Sequence, residues 1–152
     1  MNKPNFRNRI YFIAGLSISI ILSSLSMYVR AQSAKSDNSI KLIILDPGHG
    51  HATFLQGSAN PEIDPEVHVY APAGPDVQQY INSIERYNSR KASPTGWKLV
   101  VYTGADYLQK MLAEKKGNAV LISGNNSKKS LYIKSSVKAG FHVIADKPMA
   151  IT

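Results

Sequence analysis

Lys41-Leu42-Ile43-Ile44-Leu45-Asp46-Pro47-Gly48-His49-Gly50-His51-Ala52 is the stretch on which the fold turns. Behind Lys41, the apolar residues run without polar alternation, as in a strand buried on both faces. Asp46-Pro47-Gly48 ends the run, and a short helix is expected over residues 50–56, closing near Gly57. A buried strand that turns through glycine into a helix is the opening step of a parallel α/β domain.

Downstream the same alternation repeats. Val67-His68-Val69-Tyr70-Ala71 reads as a second strand, leading through Pro72 and Pro75 to Asp76, an expected helix cap with Gln79 at capping-box spacing. Val77, Tyr80, Ile81, Ile84 and Tyr87 then form one apolar helical stripe, broken over residues 89–96 by Pro94. Residues 97–102 make a third strand, and Leu108, Met111 and Leu112 mark a short helix closed by Gly117. Ala119-Val120-Leu121-Ile122-Ser123 is a fourth buried strand, turning at Gly124-Asn125-Asn126 into a helix over residues 127–139. That helix is expected to turn Ile133 and Val137 inward and Lys134 and Lys138 outward. After Gly140, Phe141-His142-Val143-Ile144-Ala145 is a fifth strand. Strand and helix alternating with short loops predict an α/β fold: a Rossmann-like parallel sheet with helices on both faces. Ligands in such sheets bind beyond the carboxyl ends of the strands, here residues 46–52, 71–76, 103–106, 123–127 and 145–149.

Upstream, residues 1–31 have the parts of an export signal, expected as a helix preceding the domain. Lys3, Arg7 and Arg9 precede an apolar run of about 16 residues from Ile10 to Leu25, shorter than the ~20 that span a bilayer. Val29-Arg30-Ala31 offers a small-residue cleavage site. Arg7 and Arg9 are separated by Asn8, so a Sec-type route to the periplasm or medium is expected; the alternative is a membrane anchor over residues 10–28. Residues 32–39 are polar and aperiodic, a linker, and residues 40–152 form the domain. The formal net charge is +8, but Lys3, Arg7, Arg9 and Arg30 carry half of it, leaving +4. The remaining lysines are spread along predicted helices, so no nucleic-acid partner is expected. With no cysteine, disulfides, a lipoprotein anchor and a thiol nucleophile are excluded.

The loop after the first strand supports two chemistries. Gly48 and Gly50, with His49, His51 and Ala52, supply the first two glycines of a G-x-G-x-x-G turn that lets backbone approach a pyrophosphate; the third position is Thr53, so the fingerprint is incomplete. The same residues resemble the zinc-binding opening of the N-acetylmuramoyl-L-alanine amidases, exported hydrolases of peptidoglycan. A catalytic zinc needs a second histidine and a carboxylate. The comparable later strand ends Ser123-Gly124-Asn125-Asn126 without histidine, and Glu62 and Glu66 lie among prolines, so no metal site is assigned. A third alternative is a non-catalytic α/β module that binds a partner.

Ala139-Gly140-Phe141-His142-Val143-Ile144-Ala145-Asp146-Lys147-Pro148-Met149-Ala150 favours the first chemistry. This segment resembles the Gfo/Idh/MocA family of NAD(P)-dependent oxidoreductases, whose dinucleotide domain carries a Gly-His-Val strand and a Glu-Lys-Pro motif; Asp146 stands where the family has Glu. The resemblance implies a cofactor, NAD or NADP, and a sugar-like substrate that gains or loses a hydride at a hydroxyl or carbonyl carbon. It implies that Lys147 is the catalytic lysine assisting proton transfer, and that Gly124, Asn125, Asn126, Asp146, Lys147 and Pro148 join the glycine loop at the cofactor. Asn125 or Asn126 is equally suited to capping the helix. The acid expected on the ribose after strand two is not evident, Asp76 being the nearest. The family continues into a C-terminal substrate domain and a possible homo-oligomer interface, so the resemblance implies an incomplete domain, a fragment inactive alone.

Overall fold

The computed structural model describes residues 39–149. The signal expected over residues 1–31, and all but the last residue of the linker, lie outside the described residues, as do residues 150–152. Five strands form one wholly parallel sheet: β1 (Leu42–Leu45), β2 (Glu66–Tyr70), β3 (Lys98–Tyr102), β4 (Ala119–Ile122) and β5 (His142–Ala145). A 3-10 helix (Gly50–Gln56) follows β1, and helices α1 (Pro75–Ser89), α2 (Tyr107–Glu114) and α3 (Asn126–Lys138) follow β2, β3 and β4. The parallel α/β sheet is the Rossmann-like one expected from the sequence, and its spatial order is β3-β2-β1-β4-β5. Among the described residues no helix is long and apolar enough to cross a membrane.

The apolar run of β1 is central because both its neighbours are strands and both its faces are covered. Leu42 and Ile44 point into a layer with Val67, Val69, Val77, Tyr80, Ile84 and Trp97, beneath the 3-10 helix and α1. Ile43 and Leu45 point the other way, into Tyr70, Tyr107, Met111, Val120, Ile122 and Tyr132, beneath α2 and α3. Strand alternation thus builds two cores from one run, each fully buried side chain contributing about 1.5–3 kcal/mol relative to exposure. In α1 the buried positions are Val77, Tyr80 and Ile84, on the expected stripe, with Ile81 and Tyr87 partly buried beside them.

Two local expectations are corrected. Asp76 does not cap α1: Gly74 is the N-cap, Pro75 opens the helix, and no side chain caps it. Proline suits the first helical position, where its missing N–H would have had no intrahelical partner. The inward face of α3 is also different. Lys129, Tyr132 and Ser136 are buried, Ile133 is partly buried, and Val137 is exposed. Lys129 and Tyr132 take the inner face because a polar site lies under the amino-terminal part of the helix, whereas the buried Ser136 hydroxyl has no hydrogen-bond partner among the described residues.

Candidate functional site

In chain order β1 is followed by elements leading to β2 on one side, whereas β4 returns from the far edge to β1's other side. The order in which strands are added therefore reverses between β1 and β4, and the space beyond their carboxyl ends is the place where such sheets open a ligand crevice. Three loops meet there, after β1, β4 and β5. The first two touch through glycine. Gly124 has φ +97°, and a Cβ on it would fall 2.4 Å from the Gly48 Cα. The Gly48 N–H donates to the Ser123 carbonyl at 2.7 Å. Gly48 and Gly124 therefore allow two loops to pack backbone to backbone, whereas a Cβ on Gly50 would meet nothing within 4 Å.

Asp46, buried at the end of β1 with φ +47°, ties these loops to α3. Its Oδ2 accepts from Asn125 Nδ2 at 2.7 Å and from the Tyr132 hydroxyl at 2.5 Å. Tyr132 in turn meets the Tyr107 hydroxyl. Burial, then the hydrogen bond to Asp46, drives the Tyr132 phenol far above its ordinary pKa, so it stays a donor. Tyr132→Phe is expected to cost about 1.5–3 kcal/mol, the range for a hydrogen bond to a charged group, read as a lower urea midpoint with unchanged slope.

The second polar centre is Asp146, directly after β5. Its Oδ1 accepts from Lys129, whose ammonium is completely buried and also donates to the Asp146 carbonyl at 3.2 Å. Its Oδ2 lies 2.9 Å from Ser123 Oγ, 2.9 Å from His49 Nε2 and 3.3 Å from His51 Nδ1. Partial burial pushes the carboxyl's pKa up, but the bonds from Lys129 and Ser123, the Lys129 charge and His51 outweigh it and hold it below the usual carboxylate range. The two imidazoles stand edge to face with centroids 4.9 Å apart, and both are well exposed.

The remaining candidates fall around this centre or under it. Ala52, on the 3-10 helix, turns inward and is buried in the core. Asn125 stands at the N-cap of α3 in the left-handed region and makes no capping bond; its side chain holds Asp46 and accepts from Ser127 at 3.1 Å. Asn126 Oδ1 is buried without a hydrogen-bond partner. Lys147 and Pro148 are exposed past Asp146, joined by a cis peptide bond. Asp76 shares a small cleft with His49, Gly50, Thr53 and Tyr80 beside the glycine loop. Glu66, by contrast, opens β2 at the amino end of the sheet, where it pairs with His68 at 3.3 Å, so it is not placed to complete an amidase-type centre with His49.

Sequence reasoning missed Lys129 and Tyr132, and it gave Asp46 and Ser123 no role although both lie in the strand-end segments it singled out. The available signal was the weak amphipathicity of residues 126–138, whose apolar residues line no single face.

No protein-family model matches this chain, and no curated protein matches it. Among solved structures, a protein from Parabacteroides merdae ATCC 43184, described as a "putative oxidoreductase", is similar with a TM-score of 0.74 and 51% sequence identity over 76% of this chain. The chain spans 26% of that protein's length. A second, from Yersinia pestis (YPO2259, with the same description), gives 20% identity and a TM-score of 0.45 over 76% of this chain and 28% of its own, a likeness that carries no argument.

Proposed function

We propose that this chain is the nucleotide-binding part of an NAD(P)-dependent oxidoreductase of Gfo/Idh/MocA type, acting on a hydroxyl or carbonyl of a sugar-like substrate in the full-length protein. One observation carries the reading: the glycine-histidine loop after β1 and the Asp-Lys-Pro segment after β5, 95 residues apart, meet at the sheet's reversal point through His51 and Asp146. The similarity to the Parabacteroides merdae protein supports the oxidoreductase class.

The residues present suit a dinucleotide. Gly50 leaves open space beside the loop, and Asn126 Oδ1 is a buried acceptor lacking a partner, suited to an amide or hydroxyl of the cofactor. Asp76, on the cleft beside Gly50, is a carboxylate that would suit a ribose hydroxyl. The nicotinamide, when bound, supplies or accepts the hydride. Lys147 then holds an ammonium near the oxygen whose charge changes and moves its proton to or from it. Asp146 orients the segment by its bonds to Lys129 and Ser123. With residues 1–31 read as an export signal, the protein acts outside the cytoplasm, where a scarce cofactor must be held tightly enough to travel with it.

Calorimetric titration of the full chain with NADH and NADPH tests the proposal. Binding of one of the two is expected, weakened by about tenfold or more in Gly50→Leu, which is about 1.4 kcal/mol or more. The variant's circular dichroism should be unchanged, because a Cβ at Gly50 meets nothing within 4 Å. A folded chain that binds neither nucleotide would overturn the reading.

A further inference from the structure

We propose that His49, His51 and Asp146 form a binding site for a divalent first-row transition-metal ion of the zinc type. The proposal shares the His51–Asp146 contact with the nucleotide reading but does not require it, and zinc binding by a chain that takes no nucleotide would separate the two.

The three offer one ligand atom each, all within 4.8 Å of one another. His49 Nε2 and His51 Nδ1 stand 2.9 and 3.3 Å from the same oxygen, Asp146 Oδ2. Ligand atoms around a tetrahedral ion with bonds of about 2.0–2.2 Å are separated by about 3.3–3.6 Å. Both histidine nitrogens are therefore near ligand spacing from Asp146 Oδ2, and small turns of the exposed rings would close the remaining separation, which is within 4.8 Å.

As a set of hydrogen bonds alone, the arrangement is overcrowded. Ser123 Oγ, His49 Nε2 and His51 Nδ1 all converge on Oδ2, whereas one carboxylate oxygen has about two lone-pair directions. An ion among the three resolves this, because both rings then present lone pairs to it and Oδ2 becomes a ligand.

The support is already built. Lys129 occupies Oδ1 and the Asp146 carbonyl, so the carboxylate has one oxygen left to coordinate with and a fixed orientation. Ser123 Oγ stands 3.5 Å from His49 Nδ1, and the His51 backbone N–H lies 3.4 Å from the same nitrogen, so two polar neighbours hold the ring in place. Such outer partners set ring orientation and ligand basicity in metal sites.

Chemistry and exposure indicate the class of ion. Two imidazoles and one carboxylate suit zinc, cobalt or nickel rather than magnesium or calcium, which take oxygen ligands. The half-exposed histidine rings leave the outer side open to water, as in sites with three protein ligands and an open position. A metal there has two neighbours of opposite effect. The Asp146 carboxylate attracts it, and the Lys129 ammonium behind the carboxylate moderates that attraction.

The test uses the full chain, stripped with a chelator and dialysed, then titrated with ZnCl2 against a chromophoric competitor and with CoCl2 by visible absorbance. One equivalent is expected, with the cobalt bands of a low-coordinate site. His49→Ala and His51→Ala should each weaken zinc by more than about 100-fold, beyond the 10–100-fold typical of changes to outer partners. The two other histidines of the sequence provide the control: the doubly substituted His68→Ala, His142→Ala chain should bind as the parent does. Circular dichroism establishes that each variant is folded, and His49→Gln and His51→Gln replace any alanine variant that is not. Absence of binding by the folded parent overturns the proposal. So does zinc affinity that survives both His49 and His51 substitutions.

Discussion

Asp146→Ala is expected to destabilise the domain by about 3–5 kcal/mol, the range for removing one partner of a buried ion pair. The reason is Lys129, whose ammonium is fully buried against the aspartate and is left without a counter-charge when the carboxylate goes. Chemical denaturation in the presence of a chelator measures the loss. Lys129→Met in the same background should recover most of it, because an apolar side chain of similar length removes the stranded charge. A double variant no more stable than Asp146→Ala alone would show that the cost lies elsewhere.

The same pair sets an acid limit. Lys129, Ser123, His49 and His51 face the Asp146 carboxyl, and its pKa in the folded protein is below the ordinary value of 3.8. A carboxyl depressed on folding contributes stability that is complete above its unfolded pKa and disappears as pH falls through the folded value. Asp146→Ala should therefore flatten the decline of stability below about pH 4, a window set by the ordinary carboxylate value.

Gly124→Ala is expected to be the other severe substitution, at more than about 3 kcal/mol. A left-handed backbone with a Cβ costs on the order of 1–3 kcal/mol before any collision. Here φ is +97° and the added carbon would stand 2.4 Å from the Gly48 Cα and 2.7 Å from its nitrogen. Both obstacles are backbone, so relief requires the loops after β1 and β4 to separate. For a domain of about 100 residues each kcal/mol moves the midpoint by roughly 4–8 °C, so a drop beyond about 12 °C is expected on thermal melting. Gly50→Ala, whose Cβ has no neighbour, is the matched control and should change the midpoint little. Equal effects from the two would remove the close-approach argument.

These residues differ in how readily the sequence revealed them. The glycines and the Asp-Lys-Pro segment stood out because each is an unusual combination at a strand end, where the chain pattern already pointed to ligands. Lys129 and Ser136 did not, because a lysine or serine in a helix of mixed composition reads as solvated. Its inward face could be recognised only from what lay beneath it. The histidine pair and Asp146 were each visible, but not the contact between them, since Asp146 is 95 residues beyond His51.

What the sequence by itself determined was the alternation of strands and helices, the double-sided burial of β1 and the chain positions of the loops. Those follow from side-chain periodicity and from glycine and proline, which act over a few residues. The tertiary structure decided which loops are neighbours. The order β3-β2-β1-β4-β5 puts β4 between β1 and β5, and so sets Ser123 and Lys129 against Asp146 and brings both histidines onto it. That order depends on which way each crossover packs its helix, a balance over the whole core that no local pattern encodes.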